Sequence, residues 1–184
     1  MNWYQNSANN KHKIFVSYYH KDDQYYRNEF ERRFSHLFVS KSVEPGDIDS
    51  DLSDEYIKRL IQEGYLTDSS VVLVLVGLKT YCRKHVDWEI SAGLNKKVGG
   101  YSGLVGILLP EYPLSADNKY SYSNIPPRLA DNLKSDYAEI YTWDFACQNE
   151  ATIKNVIQTA FDNRLAKSDK INNSRNQYTQ DLCD

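Results

Sequence analysis

Three side chains that could do chemistry fall within one short stretch, Tyr81-Cys82-Arg83-Lys84-His85-Val86-Asp87-Trp88-Glu89-Ile90. Cys82, His85 and Glu89 stand at i, i+3 and i+7, which puts them on one face if a helix begins early. A zinc site or a Cys–His nucleophile would draw on such a cluster, but no fourth ligand is evident and Cys82 can fall in the loop that enters the helix. Glu89 is an isolated carboxylate in the first or second turn of that helix, one turn beyond His85. A plain reading is available for it: a glutamate favours the positive end of a helix, or pairs there with a histidine or lysine at the surface.

A second stretch, Lys13-Ile14-Phe15-Val16-Ser17-Tyr18-Tyr19-His20-Lys21-Asp22-Asp23, runs from apolar to aromatic to polar. Tyr18, Tyr19 and His20 could stack on a flat ligand; equally, one ring packs inward and the others edge the loop. Ser17 could contact a ribose or phosphate, or only tie the turn. Lys79, Arg83 and Lys84 form a small basic cluster suited to a pyrophosphate or simply to solvating a loop. The segment from Glu44 to Glu55 holds Glu44, Asp47, Asp49, Asp51, Asp54 and Glu55 with no base among them. Those acids would repel a phosphate from any helix N-terminus there. The Asp47-Asp49-Asp51 spacing lacks the glycine and distal glutamate of an EF-hand loop.

The elements that must position these groups follow from hydrophobic periodicity. Ile14-Phe15-Val16 within 13–19 predicts a first buried strand, and Asp22 or Asp23 a helix N-terminus. Tyr26, Phe30, Phe34 and Leu37 follow at helical spacing, predicting an amphipathic helix over 23–36. A short strand is expected within 37–43. Pro45-Gly46 marks a turn, and Ser50 or Asp51 is expected to cap a helix burying Leu52, Tyr56, Ile57, Leu60 and Ile61, closed by Gly64. Val71-Val72-Leu73-Val74-Leu75-Val76 has no polar face, which predicts a central strand of a parallel sheet. A helix over 85–96, a strand over 104–109, a long loop over 110–127, a short helix over 127–133, a strand over 137–141 and a helix over 150–165 complete the pattern. Strand and helix alternate about five times, predicting an α/β, flavodoxin-like three-layer fold with a mostly parallel five-stranded sheet. Ligands bind beyond the carboxyl ends of such strands, here the loops 17–22, 43–51, 77–85 and 110–127.

Size and composition bound the rest. The 184 residues suit one domain, read as a flexible lead over 1–12, a folded domain over 13–166 and a polar, disordered tail over 167–184. With 22 basic and 25 acidic residues the net charge is -3, and no basic stripe recommends nucleic acid as a partner. No apolar run is long enough to span a membrane and the first ten residues lack a signal core, so no membrane contact and a cytoplasmic location are expected. Cys82, Cys147 and Cys183 are odd in number and widely spaced, which argues against a disulfide framework and suits a reducing compartment. The 15 tyrosines decide nothing by themselves.

Taken together, the Phe-Val-Ser-Tyr strand end, the Asp47 to Asp51 loop, the apolar strand 71–76, Glu89, and Ile125-Pro126-Pro127-Arg128-Leu129 with Asp131-Asn132 resemble a TIR-like domain, the Toll/interleukin-receptor fold of bacterial immune proteins. The resemblance covers most of residues 13–165 and extends to the NAD-consuming TIR component of the Thoeris anti-phage system. The family's usual Trp-Cys, four and three residues before the glutamate, is His85-Val86 here, with Trp88 immediately before Glu89.

That resemblance implies a function. Glu89 would be the catalytic residue of an NAD glycohydrolase or cyclase that cleaves the nicotinamide–ribose bond and makes an ADP-ribose-derived signal in anti-phage defence. NAD would be substrate, with no cofactor and no metal. Ser17, Tyr18, Tyr19, His20, Asp47, Lys79, Cys82, His85 and Trp88 would line its site, and the loop 43–51 would gate it. The chain would self-associate, and a separate effector protein would sense the product. The rival reading is a non-catalytic TIR-like scaffold for protein–protein signalling. A phosphoacceptor receiver, which shares the fold, needs an aspartate at the end of the central strand, and Val76-Gly77-Leu78 offers none.

Overall fold

The computed structural model describes residues 11–43, 52–96 and 100–183. Five strands, β1 (Lys13–Ser17), β2 (Val39–Lys41), β3 (Val71–Val76), β4 (Gly103–Leu108) and β5 (Glu139–Thr142), pair in the order β2-β1-β3-β4-β5, every pair parallel. Parallel neighbours cannot be joined by hairpins, so helices carry the chain across the faces. They are α1 (His20–Phe34), α2 (Asp54–Arg59, running on as a π-helical stretch Leu60–Tyr65), α3 (Lys84–Gly93), α4 (Pro127–Lys134), the short α5 (Trp143–Ala146) and α6 (Glu150–Ala166). This is the doubly wound α/β architecture the alternation predicts.

Why the central strand is apolar throughout is visible in the two cores. Val72, Val74 and Val76 join Phe15, Ile57, Ile61, Val86, Trp88, Ile90 and Leu129 on the face covered by α2, α3 and α4. Val71, Leu73 and Leu75 join Phe30, Phe34, Trp143, Ile153 and Ile157 on the face covered by α1, α5 and α6. A period of two with both faces buried leaves no polar position on β3. β4 comes so close to α6 that a Cβ on Gly103 would collide with the carbonyl of Ala160.

Three expectations are corrected. Ser50 and Asp51 lie outside the described residues, and α2 is capped instead by Ser53, whose Oγ accepts from Tyr56 N at 3.3 Å. That later start leaves Leu52 outside the helix and exposed, with Tyr56 exposed beside it, while Ile57 and Ile61 are buried. Gly64 falls inside the π-helical stretch rather than closing the helix. Cys82 and Cys183 are paired as a disulfide, Cα to Cα 5.7 Å, within the span such bonds need; Cys147 is free and buried.

The third correction concerns the tail. After a 3-10 turn at Ser168–Lys170, the segment 171–183 lies along α4 and α3 as an extended strap. Its anchor is a buried ion pair: Arg128 Nε donates to Asp87 Oδ1 at 2.8 Å, and both residues are almost fully buried. Arg128 also donates to Asn173 Oδ1 (2.7 Å) and Arg175 O (2.9 Å), while Asp87 Oδ2 accepts from Tyr178 N (2.9 Å). Buried Asn132 exchanges two hydrogen bonds with the backbone of Asn172. Polar composition suggests disorder because it promises little apolar burial; here polar partners already buried in the domain hold the segment. Among the residues of the lead, His12 is likewise engaged, its carbonyl accepting from Val39 N at 2.9 Å, while residues 1–10 lie outside the described residues.

Removing one member of a buried pair leaves the other uncompensated, at about 3–5 kcal/mol. Arg128→Ala is therefore expected to lower unfolding free energy by about that amount and to speed tryptic cleavage after exposed Arg175. Urea titration and timed digestion check both; an unchanged midpoint with unchanged cleavage would show that the pair does not anchor the strap.

Candidate functional site

β1 stops at Ser17, level with Val74, while β3 runs on to Val76. β1 leads outward to β2 and the chain returns to β3 on its other side, so a crevice opens beyond the carboxyl ends of these two strands. Ser17 shares the face of Phe15, toward α3. There its Oγ donates to Glu89 Oε2 at 2.5 Å, inside the buried interior.

α3 is aimed at this crevice by the link from β3. Gly77 N donates to Thr80 Oγ1 at 2.8 Å, and Thr80 Oγ1 donates to buried Asp23 Oδ2 at 3.0 Å, which ties the link to α1. A side chain at Gly77 would drive into that carboxylate. A 3-10 turn at Thr80–Cys82 follows, then Arg83 in extended conformation, then α3. No side chain of its own caps α3. The carboxylate of Asp181, on the strap, does so by accepting from Lys84 N at 2.8 Å.

One turn separates His85 from Glu89, and both line the same pocket with Tyr18, Tyr19, His20 and Arg83. Tyr18 is the ring that packs inward, its hydroxyl donating to Gln24 Oε1 at 2.9 Å. Tyr19 lies against the Arg83 guanidinium, 3.8 Å from ring centroid to Cζ. Arg83 is itself 7% exposed, and its Nη1 donates to Asp181 Oδ2 and to Cys183 O, each at 3.0 Å. The pocket is small, about 100 Å³. A larger cavity of about 410 Å³ beyond β4 and β5 is walled by Leu108, Leu109, Tyr112 and Trp143 and contains none of these groups.

The remaining residues singled out in the sequence lie elsewhere. Trp88 precedes Glu89 by about 100° of helical turn; its indole donates to Tyr178 O at 2.7 Å and its ring faces Lys58. Cys82 is buried in its disulfide, outside the pocket lining. Lys79 is exposed at the start of the 3-10 turn, and Lys84 pairs with Asp54 at 2.9 Å, so only Arg83 of the basic cluster reaches the pocket. Asp47 lies outside the described residues. Among the described residues no group of three His, Cys, Asp or Glu side chains could hold a metal. Asp181 is the site neighbour that periodicity could not find, because it arrives from a segment read as tail.

Burial pushes the Glu89 carboxyl up to about 8, with the Ser17 hydrogen bond opposing part of that rise. Burial also holds the His85 imidazole below its ordinary range, with Lys84 adding to the effect. Its Nε2 has no hydrogen-bond partner among the described residues. The closed pocket thus presents a neutral acid and a neutral imidazole at neutral pH.

A consequence for stability follows. Between about 4.5, the ordinary glutamate value, and about 8, the folded chain keeps a proton on Glu89 that the unfolded chain has released, so stability falls as pH rises. Asp23 acts with the same sign, but only up to about 6. His85 acts with the opposite sign and below 6.5. Between pH 6.5 and 8 the wild-type melting temperature is therefore expected to fall, and that of Glu89→Gln to stay flatter. Parallel melting curves for the two proteins across that window would mean Glu89 carries no such proton.

Comparison with known proteins gives the family. Residues 15–112, more than half of the chain, match the family model described as Thoeris protein ThsB, TIR-like domain. No curated protein sequence matches the chain. A solved structure described as the activated Roq1 resistosome directly recognizing the pathogen effector XopQ (TIR domains) is similar over 89% of this chain and 93% of that chain, at 9% identity and a TM-score of 0.40. That likeness is distant, and the fold rests on the strand order above. Among the described residues no helix is long and apolar enough to cross a membrane. By its family match the chain belongs with the Thoeris ThsB proteins, as a TIR-like domain.

Proposed function

We propose that this chain is an NAD glycohydrolase or cyclase that breaks the nicotinamide–ribose bond and releases an ADP-ribose-derived signal in cytoplasmic anti-phage defence. A separate effector protein senses that signal, and the chain self-associates. The observation that carries the reading is Glu89, a buried carboxyl held by Ser17 at the floor of the pocket beyond β1 and β3.

The chemistry asks little of the protein. The bond's electron pair leaves with nicotinamide, which departs as a neutral base, so no general acid is needed. Positive charge builds on the ribose as in glycoside cleavage, and one ionised carboxylate can stabilise or trap it. Water then gives ADP-ribose; another atom of the same nucleotide gives a cyclic product. Glu89 must be ionised to act, and burial opposes that until a cationic nicotinamide ring arrives beside it. Ser17 acts as a positioning residue, its hydrogen bond favouring the charged form.

A second reading, the non-catalytic scaffold, is supported by the small pocket volume. At about 100 Å³ the pocket as it stands admits no dinucleotide.

Nicotinamide release from NAD is expected from the wild type at high protein concentration, and at least about a hundredfold less from Glu89→Gln. kcat/KM should climb with pH and level off above about 8. Ser17→Ala should move that climb to higher pH, because the hydrogen bond it removes lowers the Glu89 value. Equal release from wild type and Glu89→Gln would remove Glu89 from the mechanism. Absence of release from either, with extract of phage-infected cells added, would favour the scaffold.

A further inference from the structure

The strap ends on the candidate site. Asp181 sits at the mouth of the Glu89 pocket, and its two carboxylate oxygens take different partners: Oδ2 the guanidinium of Arg83 at 3.0 Å, Oδ1 the first amide of α3 at 2.8 Å. Arg83 is pressed against Tyr19 on its other side. A buried guanidinium and a free helix amide converging on one anion form a phosphate-binding arrangement, and here the anion is the chain's own. Leu182 N then donates to Cys82 O at 2.9 Å, and Cys183 is bonded to Cys82. The strap is thus held at both ends, by the Asp87–Arg128 pair and by a covalent clasp beside the pocket.

The volume argues the same way. Sites for small organic ligands typically enclose about 300–1,000 Å³, against about 100 Å³ here. Lifting residues 181–183 would widen the mouth, and their hydrogen bonds go to Arg83, Lys84 N and Cys82 O rather than to Ser17, His85 or Glu89.

We infer that Arg83 is the anion-binding residue for the pyrophosphate of a dinucleotide ligand, and that Asp181 is an intramolecular mimic of that pyrophosphate which keeps the site closed until the strap is displaced. The inference rests on the function proposed above and names how that site is held shut. The clasp opens by thiol–disulfide exchange: a dithiol gives two electrons to the Cys82–Cys183 bond, becomes the disulfide itself, and leaves two cysteine thiols, so that in a reducing cytoplasm noncovalent bonds such as those of Asp181 to Arg83 and Lys84 N hold the strap end. Ligand affinity is then reduced by the fraction of chains still closed.

The test is equilibrium binding of ADP-ribose, which carries the pyrophosphate and is not cleaved at the bond in question, with adenosine as the ligand that lacks it. Full-length wild type, with and without a small dithiol, is compared with Asp181→Asn, Cys183→Ser, and Asp181→Asn combined with Arg83→Gln. Intact mass after thiol labelling reports the state of the clasp. Asp181→Asn and the reduced wild type should each bind ADP-ribose about tenfold more tightly than oxidised wild type, Arg83→Gln should cancel that gain, and adenosine, which lacks the pyrophosphate, should be indifferent to Arg83→Gln. Cys183→Ser keeps the comparison sound if any single variant folds poorly. Equal ADP-ribose affinity across wild type, Asp181→Asn and Cys183→Ser, or no binding by any of them, would overturn the inference. Nicotinamide release measured alongside separates it from the enzyme reading. Turnover with strap-independent affinity keeps the enzyme and sinks the strap; strap-dependent affinity without turnover does the reverse.

Discussion

Two opposite charges removed from water, Asp87 and Arg128, hold the C-terminal strap on α3 and α4. Taking such a pair out of solvent costs more than its attraction returns unless the remaining donors and acceptors are also satisfied. Here the strap satisfies them. Asn173 and the carbonyl of Arg175 take the guanidinium protons that Asp87 leaves, and Tyr178 N fills the carboxylate. The pair therefore requires the strap as much as the strap requires the pair. This is how thirteen residues with few apolar side chains stay packed on a domain whose core is complete without them: hydrogen bonds to buried charges are the stronger kind, and these are spaced along the strap at its start, middle and end.

The pair also stands on the helix that lines the pocket. Asp87 and Glu89 sit on one helix two positions apart, about 200° around its axis. α3 thus shows Asp87 and Ser91 to the strap, Trp88 to both the strap and α2, and His85 and Glu89 to the pocket. Arg83, at the helix entrance, touches both. Ser17 fixes the helix at the pocket side, and Asp181 caps the end that points into the crevice. A shift of the strap would be felt first at Arg83 and the first turn, where the helix has no cap of its own.

Much of this was legible in the sequence, and the rest was hidden for definite reasons. The all-apolar run 71–76 could only be a central strand, since a strand with two buried faces tolerates no polar position; the order of elements and the crevice beyond β1 followed. The pairing of His85 with Glu89 at one helical turn was readable, while Trp88, one position away, could not share that face. α2 was misplaced because the acidic stretch before it offers several capping residues, and only tertiary packing selects Ser53. The strap was missed because its partners, Asp87, Arg128 and Asn132, are polar residues that composition assigns to the surface. Asp181 and the Cys82–Cys183 bond were lost with it: a contact across a hundred residues leaves no local pattern.

Glu89 raises a last point of chemistry. An acid buried this deeply is neutral in the closed pocket, and neutrality is the wrong state for stabilising a developing cation. The two facts are compatible if the ligand supplies the missing charge. On the proposed reading, an oxidised nicotinamide ring carries a positive charge to within reach of the carboxyl, lowers its affinity for the proton, and leaves as a neutral molecule when the bond breaks. A reduced nicotinamide carries no such charge and would be a poor leaving group. The same burial that silences the free protein would then discriminate between the two redox forms of one dinucleotide, because only one of them can ionise the residue that acts on it. On that reading Ser17 would set how far the ligand must push, since its hydroxyl already favours the carboxylate, and the strap would set whether the ligand arrives at all.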